Sequence, residues 1–231
     1  MKKVVVFTGA GISAESGLGT FRDNGGLWDK YDIEDVATLD GWKKDRQLVL
    51  DFYNQRRKDC LLAKPNKAHF SLVDLESKFD VTVITQNIDD LHERAGSSKI
   101  LHLHGEILKS RSEINKTLIY DCKEDIKDGD RCERGHQLRP HVVWFGESIY
   151  HQVQPYKLIA AADIVIVIGT SLKVYPAADF LSAAEEDKCK IYLIDPNEPN
   201  QNALLECPVK IEHIKKKATI GVPALVKKLL K

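Results

Sequence analysis

The chain has no excess of charge of either sign. Lys plus Arg and Asp plus Glu both number 34 among 231 residues, so nothing supplies the electrostatic footprint of a nucleic-acid or anionic-membrane binder. Cysteine is scarce: Cys60, Cys122, Cys132, Cys189 and Cys207 are odd in number and irregular in spacing, which excludes a disulfide framework and fits reduced thiols. Long hydrophobic runs are also missing. No stretch approaches a membrane span, and the few apolar residues after Met1-Lys2-Lys3 are too short for the core of a signal peptide. These absences point to a cytoplasmic protein with neither nucleic acid nor membrane as a partner. The chain also lacks internal repeats and low-complexity tracts. The hydrophobic content of 43% suffices for a substantial core, in one large or two small domains.

Short β-rich runs recur at 2–8, 81–85, 100–103, 142–145, 163–169, 190–195 and 209–212, most of them separated by helical stretches. That is the α/β pattern of a parallel sheet, which binds ligands at the C-terminal ends of its strands. Two segments do not fit it. Residues 30–78 read as mainly helical, with 43–63 the clearest amphipathic stretch, and residues 106–137 are polar with little periodicity. Residues 222–230 read as a C-terminal amphipathic helix with a structural role.

Gly9-Ala10-Gly11-Ile12-Ser13-Ala14 directly follows the apolar run Val4-Val5-Val6-Phe7 and fits the G-x-G-x-x-G/A dinucleotide fingerprint. The first glycine allows a tight turn, the second a close approach to pyrophosphate, and helix-start N–H groups hold the phosphates. Taken alone, the match is equally an ordinary tight turn. A conventional nucleotide-binding unit would next reach a second strand ending in Asp or Glu about 20 residues on, to hold the ribose. Here Thr20-Phe21-Arg22-Asp23 and the turn Asn24-Gly25-Gly26 follow instead, placing Phe21, Arg22 and Asp23 on a lid-like loop over the cofactor.

Four further stretches complete a pattern. Gln86-Asn87-Ile88-Asp89-Asp90-Leu91-His92 follows one strand, and His102-Leu103-His104-Gly105-Glu106 comes shortly after. Leu138-Arg139-Pro140-His141-Val142-Val143-Trp144-Phe145-Gly146-Glu147 is next, and Gly169-Thr170-Ser171-Leu172-Lys173-Val174-Tyr175-Pro176-Ala177-Ala178 closes another strand. In this order, spanning nearly the whole chain, they resemble the sirtuins, NAD-dependent protein deacylases. The resemblance implies a Rossmann-like, doubly wound NAD-binding domain (1–29, 79–105 and 138–231). The smaller domain would be formed by a helical insertion, 30–78, and a degenerate zinc-module-like insertion, 106–137.

The resemblance also implies a mechanism. The carbonyl oxygen of an acyl-lysine in a protein substrate attacks the nicotinamide ribose carbon of NAD as nicotinamide departs. His104 then deprotonates a ribose hydroxyl, and water resolves the intermediate to free lysine and O-acyl-ADP-ribose. A histidine titrates near neutrality and suits this work, and Gly105 leaves room for a ligand beside it. Asn87 and Asp89 would hold the nicotinamide carboxamide and ribose, whose donors and acceptors an amide and a carboxylate can satisfy. The alternative for 86–89 is a helix cap with Asn87 or Asp89 as the capping residue. Gln86 would bond the ribose, with Ile88 in the same loop. Gly9, Ala10, Gly11, Ile12, Gly169, Thr170 and Ser171 would meet phosphate or ribose, Asp195, Pro196 and Asn197 the adenosine ribose, and Ala218 the adenine. Asp195-Pro196-Asn197 could equally be only a turn. His92 and His102 read as structural.

Val143, Trp144, Phe145, Gly146 and Glu147 would take the substrate peptide by strand addition, main chain to main chain. Tyr53 and Arg56, three apart on a helix face, form a carboxylate receptor of phenol and guanidinium, set against a solvated basic face that Arg57 and Lys58 suggest. Tyr-x-x-Arg at this place marks the sirtuins that remove succinyl and malonyl groups, and bacterial members of that type also deacetylate. The chain departs from its family in its cysteines. Sirtuins usually bind a structural zinc through two cysteine pairs, but only Cys122 and Cys132 lie in 106–137, with Ser112 and Asn115 where a first pair belongs. Two thiolates plus His136 make an incomplete site, whose tetrahedral closure would need a fourth ligand such as Asp121 or Asp130, so no zinc is expected. The competing functions are a nonenzymatic NAD-responsive binding protein and, less favoured, an NAD oxidoreductase.

Overall fold

The computed structural model describes residues 1–20, 30–172, 175 and 177–231. Its strands are β1 (Lys3–Thr8), β2 (Asp80–Thr85), β3 (Ile100–His102), β4 (Gly105–Ser112), β5 (Ile119–Asp121), β6 (Leu138–Val142), β7 (Ile164–Ile168), β8 (Lys190–Ile194) and β9 (Ile211–Ile214). Six of them form one sheet in the order β3-β2-β1-β7-β8-β9, every pairing parallel. Counted within that sheet alone, the order is 3-2-1-4-5-6, the doubly wound arrangement whose ligand crevice opens where the order reverses, between β1 and β7.

Alternation along the strands builds the sheet's two faces. Val5, Phe7, Val165, Val167, Ile191 and Leu193 belong to one buried cluster, while Val4, Val6, Ile164, Ile166, Ile168 and Ile194 belong to the other. With both faces covered, β-branched runs are what such strands require. The short helix α1 (Gly11–Ala14) follows β1 directly.

The segment 30–78 is helical, as its pattern requires. It holds α2 (Ile33–Val36), α3 (Leu39–Lys44), α4 (Arg46–Leu62) and α5 (Lys67–Leu75). The Asp45 side chain accepts from the Leu48 N–H and starts α4; Asn66 and His69 form a reciprocal capping box at α5. Helices α6 (Leu91–Ala95), α7 (Gln154–Ala160), α8 (Gln201–Leu205) and α9 (Ala218–Leu229) complete the set used below. None of the described helices is long and apolar enough to cross a membrane.

Residues 106–137 differ from the sequence expectation. They contain β4 and β5, which with β6 make a three-stranded antiparallel sheet in the order β5-β4-β6. The strand signal is hidden because β4 alternates only at its start. Its second half buries Ser110, Arg111 and Ser112 in succession, polar residues that a hydrophobic count scores as loop. The strand expected at 142–145 is displaced as well: β6 ends at Val142. Beyond it, the Val143 N–H donates to the His104 carbonyl and the Phe145 N–H to the Ala37 carbonyl. The Trp144 side chain turns into a third cluster with Trp42, Phe52, Tyr53 and Ile107.

Candidate active site

The glycine turn lies at the reversal of strand order, against the turn that ends β7. The Gly9 N–H donates to the Ile168 carbonyl at 3.0 Å and the Gly11 N–H to the Gly169 carbonyl at 2.9 Å. A Cβ on Gly11 would come within 2.6 Å of Gly169 Cα, and one on Gly169, whose φ is +60°, within 2.5 Å of Ile12 N. The close approach that these glycines allow is therefore between the two loops themselves. The N–H groups of Ile12, Ser13 and Ala14 bond the carbonyls of Gly9 and Ala10, so the start of this four-residue helix is closed by its own turn.

Residues 86–89 follow β2 on the neighbouring strand end. The Asn87 side-chain amide donates to Ser13 Oγ at 3.2 Å, and its backbone N–H donates to Thr85 Oγ1 at 3.0 Å. Asp89 is 7% exposed; its carboxylate accepts the Leu91 N–H at 3.1 Å. Burial raises the Asp89 pKa, and the contacts with Leu91 and the Ser13 hydroxyl oppose that rise. The N-cap of α6 is Asp90, without a side-chain cap bond, and Asp89 stands one residue before it, where its carboxylate holds the first N–H of the helix in an Asx turn. Ser13, whose hydroxyl accepts from the Asn87 amide, is a buried polar contact that the fingerprint reading overlooks. Its signal was a hydroxyl in a motif that demands only small residues. Gln86 Oε1 accepts from Thr170 Oγ1 at 3.0 Å, joining the β2 loop to the β7 loop, and the Ser171 carbonyl accepts the Asn200 N–H at 2.9 Å. The Ile88 carbonyl accepts the Ile107 N–H at 2.7 Å and ties the loop to β4.

His104 stands between β3 and β4. Its Nδ1 lies 2.9 Å from the Gln86 carbonyl oxygen. A carbonyl can only accept, so Nδ1 carries the proton and Nε2 of the neutral ring keeps its lone pair. Burial lowers the His104 pKa, with the Gln86 bond opposing, and the ring is therefore a neutral base at pH 7. His102 binds the next carbonyl, Asn87, at 3.1 Å through Nδ1 and Glu93 at 2.7 Å through Nε2. Burial alone would lower its pKa, but Glu93 and Glu106 outweigh it and raise the value. Bonded on both nitrogens, His102 has no lone pair to offer. Gly105 corrects the sequence reading: at φ +80° a Cβ there would lie 2.1 Å from the His141 carbonyl oxygen, so the glycine makes room for β6 and not for a ligand.

Asp195 follows β8, and its Oδ1 accepts the Asn197 N–H at 2.8 Å, an Asx turn that includes the exposed Pro196. Ala218 opens α9 and is buried. Phe21, Arg22 and Asp23 lie outside the described residues. Glu147 is not a surface group: its carboxylate bonds Arg111 and Arg139, each at 2.9 Å, and accepts the Trp144 N–H at 3.0 Å. Phe145 and Gly146 are exposed.

Tyr53 is buried, and its hydroxyl accepts from Trp144 Nε1 at 3.0 Å. Burial pushes the Tyr53 pKa up to about 12. Arg56 is half-buried with its guanidinium over the Phe52 ring; burial lowers its pKa, while Tyr53 and Asp89 oppose that drop. The solvated basic face is corrected at Arg57, which is 0% exposed and donates to the Ile107 carbonyl and Asn54 Oδ1. Lys58 is on the surface, paired with Asp125.

The residues of 106–137 do not fit a zinc ion. Among the described residues no three His, Cys, Asp or Glu side chains converge as a metal site. The Cys122 thiol donates to the Glu124 carbonyl, and burial raises its pKa. Hydrogen bonds close the turns themselves, Asn115 N–H to Ser112 Oγ at 3.2 Å and Gly135 N–H to the Cys132 carbonyl at 2.8 Å.

Known proteins share this architecture. A protein of Helicobacter pylori strain J99, described as an NAD-dependent protein deacylase, is 49% identical over 230 residues, which cover 100% of this chain and 96% of that protein. A solved complex of a Sir2 homologue mutant with ADP-ribose superposes with a TM-score of 0.88 at 35% identity, covering 99% of this chain and 92% of that one. A Sir2 homologue–NAD complex gives 0.86 at 35% identity, covering 99% and 90%. With the Sir2 family profile matching residues 9–176 of a chain folded in this way, the protein belongs to the Sir2 family.

Proposed function

We propose that this NAD-dependent protein deacylase acts on acetyl-lysine and also on the acidic succinyl- and malonyl-lysines, giving nicotinamide, O-acyl-ADP-ribose and free lysine. The observation that carries this acyl range is the inward placement of Tyr53 and Arg56. The indole N–H of Trp144 can only donate, so the Tyr53 oxygen accepts it and the phenol proton remains for a carboxylate. Arg56 adds a permanent charge and paired donors on the same helix face, close enough to Asp89 for their charges to interact.

NAD, when bound, supplies an electrophilic ribose carbon with nicotinamide as its leaving group. The chain fits it with a buried polar cluster, Ser13, Asn87 and Asp89, at the strand ends where apolar packing would otherwise be expected. In the proposed roles, Asn87 and Asp89 hold the carboxamide and ribose and Ser13 orients both. Gln86, Ile88 and the turns Gly9–Ala10–Gly11–Ile12 and Gly169–Thr170–Ser171 face the ribose and phosphates. Asp195, Pro196, Asn197 and Ala218 face the adenosine, and Phe21, Arg22 and Asp23 cover the site. His104 Nε2 accepts a proton from a ribose hydroxyl. The segment Val143 to Glu147 receives the peptide, with its Val143 N–H bonded to the backbone of His104 itself. We assign 30–78 and 106–137 to a small domain that carries the acyl pocket, and 1–29, 79–105 and 138–231 to the NAD domain. The protein is expected to work in the cytoplasm without zinc. An oxidoreductase is disfavoured because the strand next to β1 runs into Gln86 and not into a ribose-binding acid.

The test is nicotinamide release from NAD with matched acetyl- and succinyl-lysine peptides. Arg56→Met is expected to cut kcat/KM for the succinyl peptide roughly a hundredfold, the scale of a stranded carboxylate, with a much smaller change for the acetyl peptide. Equal losses on the two peptides would return Arg56 to a structural role; NADH absorbance without nicotinamide release would overturn the deacylase reading.

A further inference from the structure

The helix after the glycine turn is too short to hold itself. Four residues form barely one turn, and an isolated helix of that length is not stable, so the position of α1 depends on what grips it. Two side-chain clamps do so. On one side Asn66 Nδ2 donates to the Ile12 carbonyl at 2.8 Å and to Ser16 Oγ at 2.9 Å. On the other, the Glu15 carboxylate accepts the Thr219 N–H at 3.0 Å and the Thr219 hydroxyl at 2.7 Å.

The second clamp joins two places far apart in sequence. Thr219 is the second residue of α9, whose preceding residue, Lys217, makes no side-chain cap; Glu15 caps the helix in its stead and sets a carboxylate at the positive end of its dipole. Helix α9 is seated closely on β8, since a Cβ on Gly221 would fall 2.5 Å from Ile194 Cγ2. Its buried first residue, Ala218, and the residue after β8, Asp195, are the ones proposed to face the adenosine.

We infer that Glu15 is a positioning residue for NAD: it locks the pyrophosphate turn to the adenosine side of the site, so that the two halves of the dinucleotide meet at a fixed spacing. This rests on the reading that Ala218 borders the adenine. Glu15 lies outside the acyl-lysine side of the crevice, so loosening it weakens the cofactor and spares the peptide.

Steady-state kinetics with NAD and an acetyl-lysine peptide test the idea. Glu15→Ala is expected to raise the KM for NAD roughly fivefold to tenfold, the scale of one net hydrogen bond at an exposed site, with the KM for peptide unchanged. Thr219→Val gives a smaller rise, Thr219→Ser restores the wild-type value, and Thr219→Val adds little on top of Glu15→Ala, because the two side chains make one clamp. A merely structural role would lower kcat and both KM-normalised rates together with the melting temperature, and that result overturns the proposal. Ala218→Val separates the two readings. If it raises the KM for NAD and Glu15→Ala does not, the clamp is refuted while the adenine placement stands; if neither variant moves it, the adenine placement fails too.

Discussion

The two sheets of this protein are held together by different chemistry. The six-stranded parallel sheet is packed by aliphatic side chains on both faces, with Phe7, Ile84, Val165, Ile166 and Val167 among residues wholly removed from water. The three-stranded sheet instead surrounds buried cations. Arg57, Arg111 and Arg139 are each at most 1% exposed, and Glu147 is the carboxylate that bonds two of them. The Arg139 guanidinium carbon also lies over the Trp144 ring, 3.2 Å from its centroid, while Asn54 exchanges two hydrogen bonds with the backbone of Ile126. Dispersion and solvent exclusion tolerate small changes of shape, but a buried charge network does not tolerate the loss of one member. The proposed active site lies at the seam, with its proposed cofactor side on the first kind of scaffold and its proposed acyl side on the second.

That contrast can be tested from its seam outward. His104→Ala at the junction is expected to lower deacylation about 10²- to 10⁴-fold while NAD binding, measured by calorimetry, stays near the wild-type value. Activity close to wild type between pH 6 and 9 would remove His104 from the chemistry. Because burial depresses its pKa, wild-type activity should persist below pH 6.5 before the acidic limb falls.

The next largest effect compares the scaffolds directly. Glu147→Gln leaves Arg111 and Arg139 buried without their carboxylate and is expected to cost about 3–5 kcal/mol in urea unfolding. Ile166→Val in the parallel sheet should cost about 1 kcal/mol. Similar losses for the two variants would erase the distinction.

A pH series sharpens it further, because the parallel-sheet side holds a buried titratable pair. His69 and His92 are buried with ring centroids 5.0 Å apart, and burial brings the His69 pKa down to about 4 and that of His92 well below its ordinary value. In the unfolded chain both bind protons near pH 6.5, so between that pH and 4 the unfolded state holds more protons. Stability is thus fully present above pH 6.5 and declines as the pH falls through this window. Urea midpoints that do not move between pH 7 and 5 would contradict it. The smallest effect is expected from a chelator: melting temperature unchanged and well under one zinc per chain by elemental analysis, since hydrogen bonds close the turns of the small sheet.

The sequence was readable where one force acts alone. Runs such as 164–168 announce a buried strand because every position is apolar, and the glycine turn announces itself by residues that only a close backbone approach requires. It was less readable where polar groups are buried. The second half of β4 looked like a loop because Ser110, Arg111 and Ser112 satisfy one another's neighbours instead of alternating, and Arg57 looked like a surface charge because its partners, the Ile107 carbonyl and Asn54, are invisible in a helical pattern. The family motifs single out His104, Asn87 and Asp89, which the fold brings to neighbouring strand ends. Ser13 lies inside a fingerprint read mainly for its glycines, and Glu15 directly after it.

The proton on His104 Nδ1 is held by a peptide carbonyl, that of Gln86. Many bases rely on a carboxylate side chain for this service, and one codon change can remove it. Every amino acid carries the same carbonyl, so no replacement of the residue at 86 deletes the acceptor, and only a displacement of the main chain can. The tautomer of the proposed base is in this sense inherited with the fold, and the side chain at 86 is left to its separate task of joining the β2 loop to Thr170.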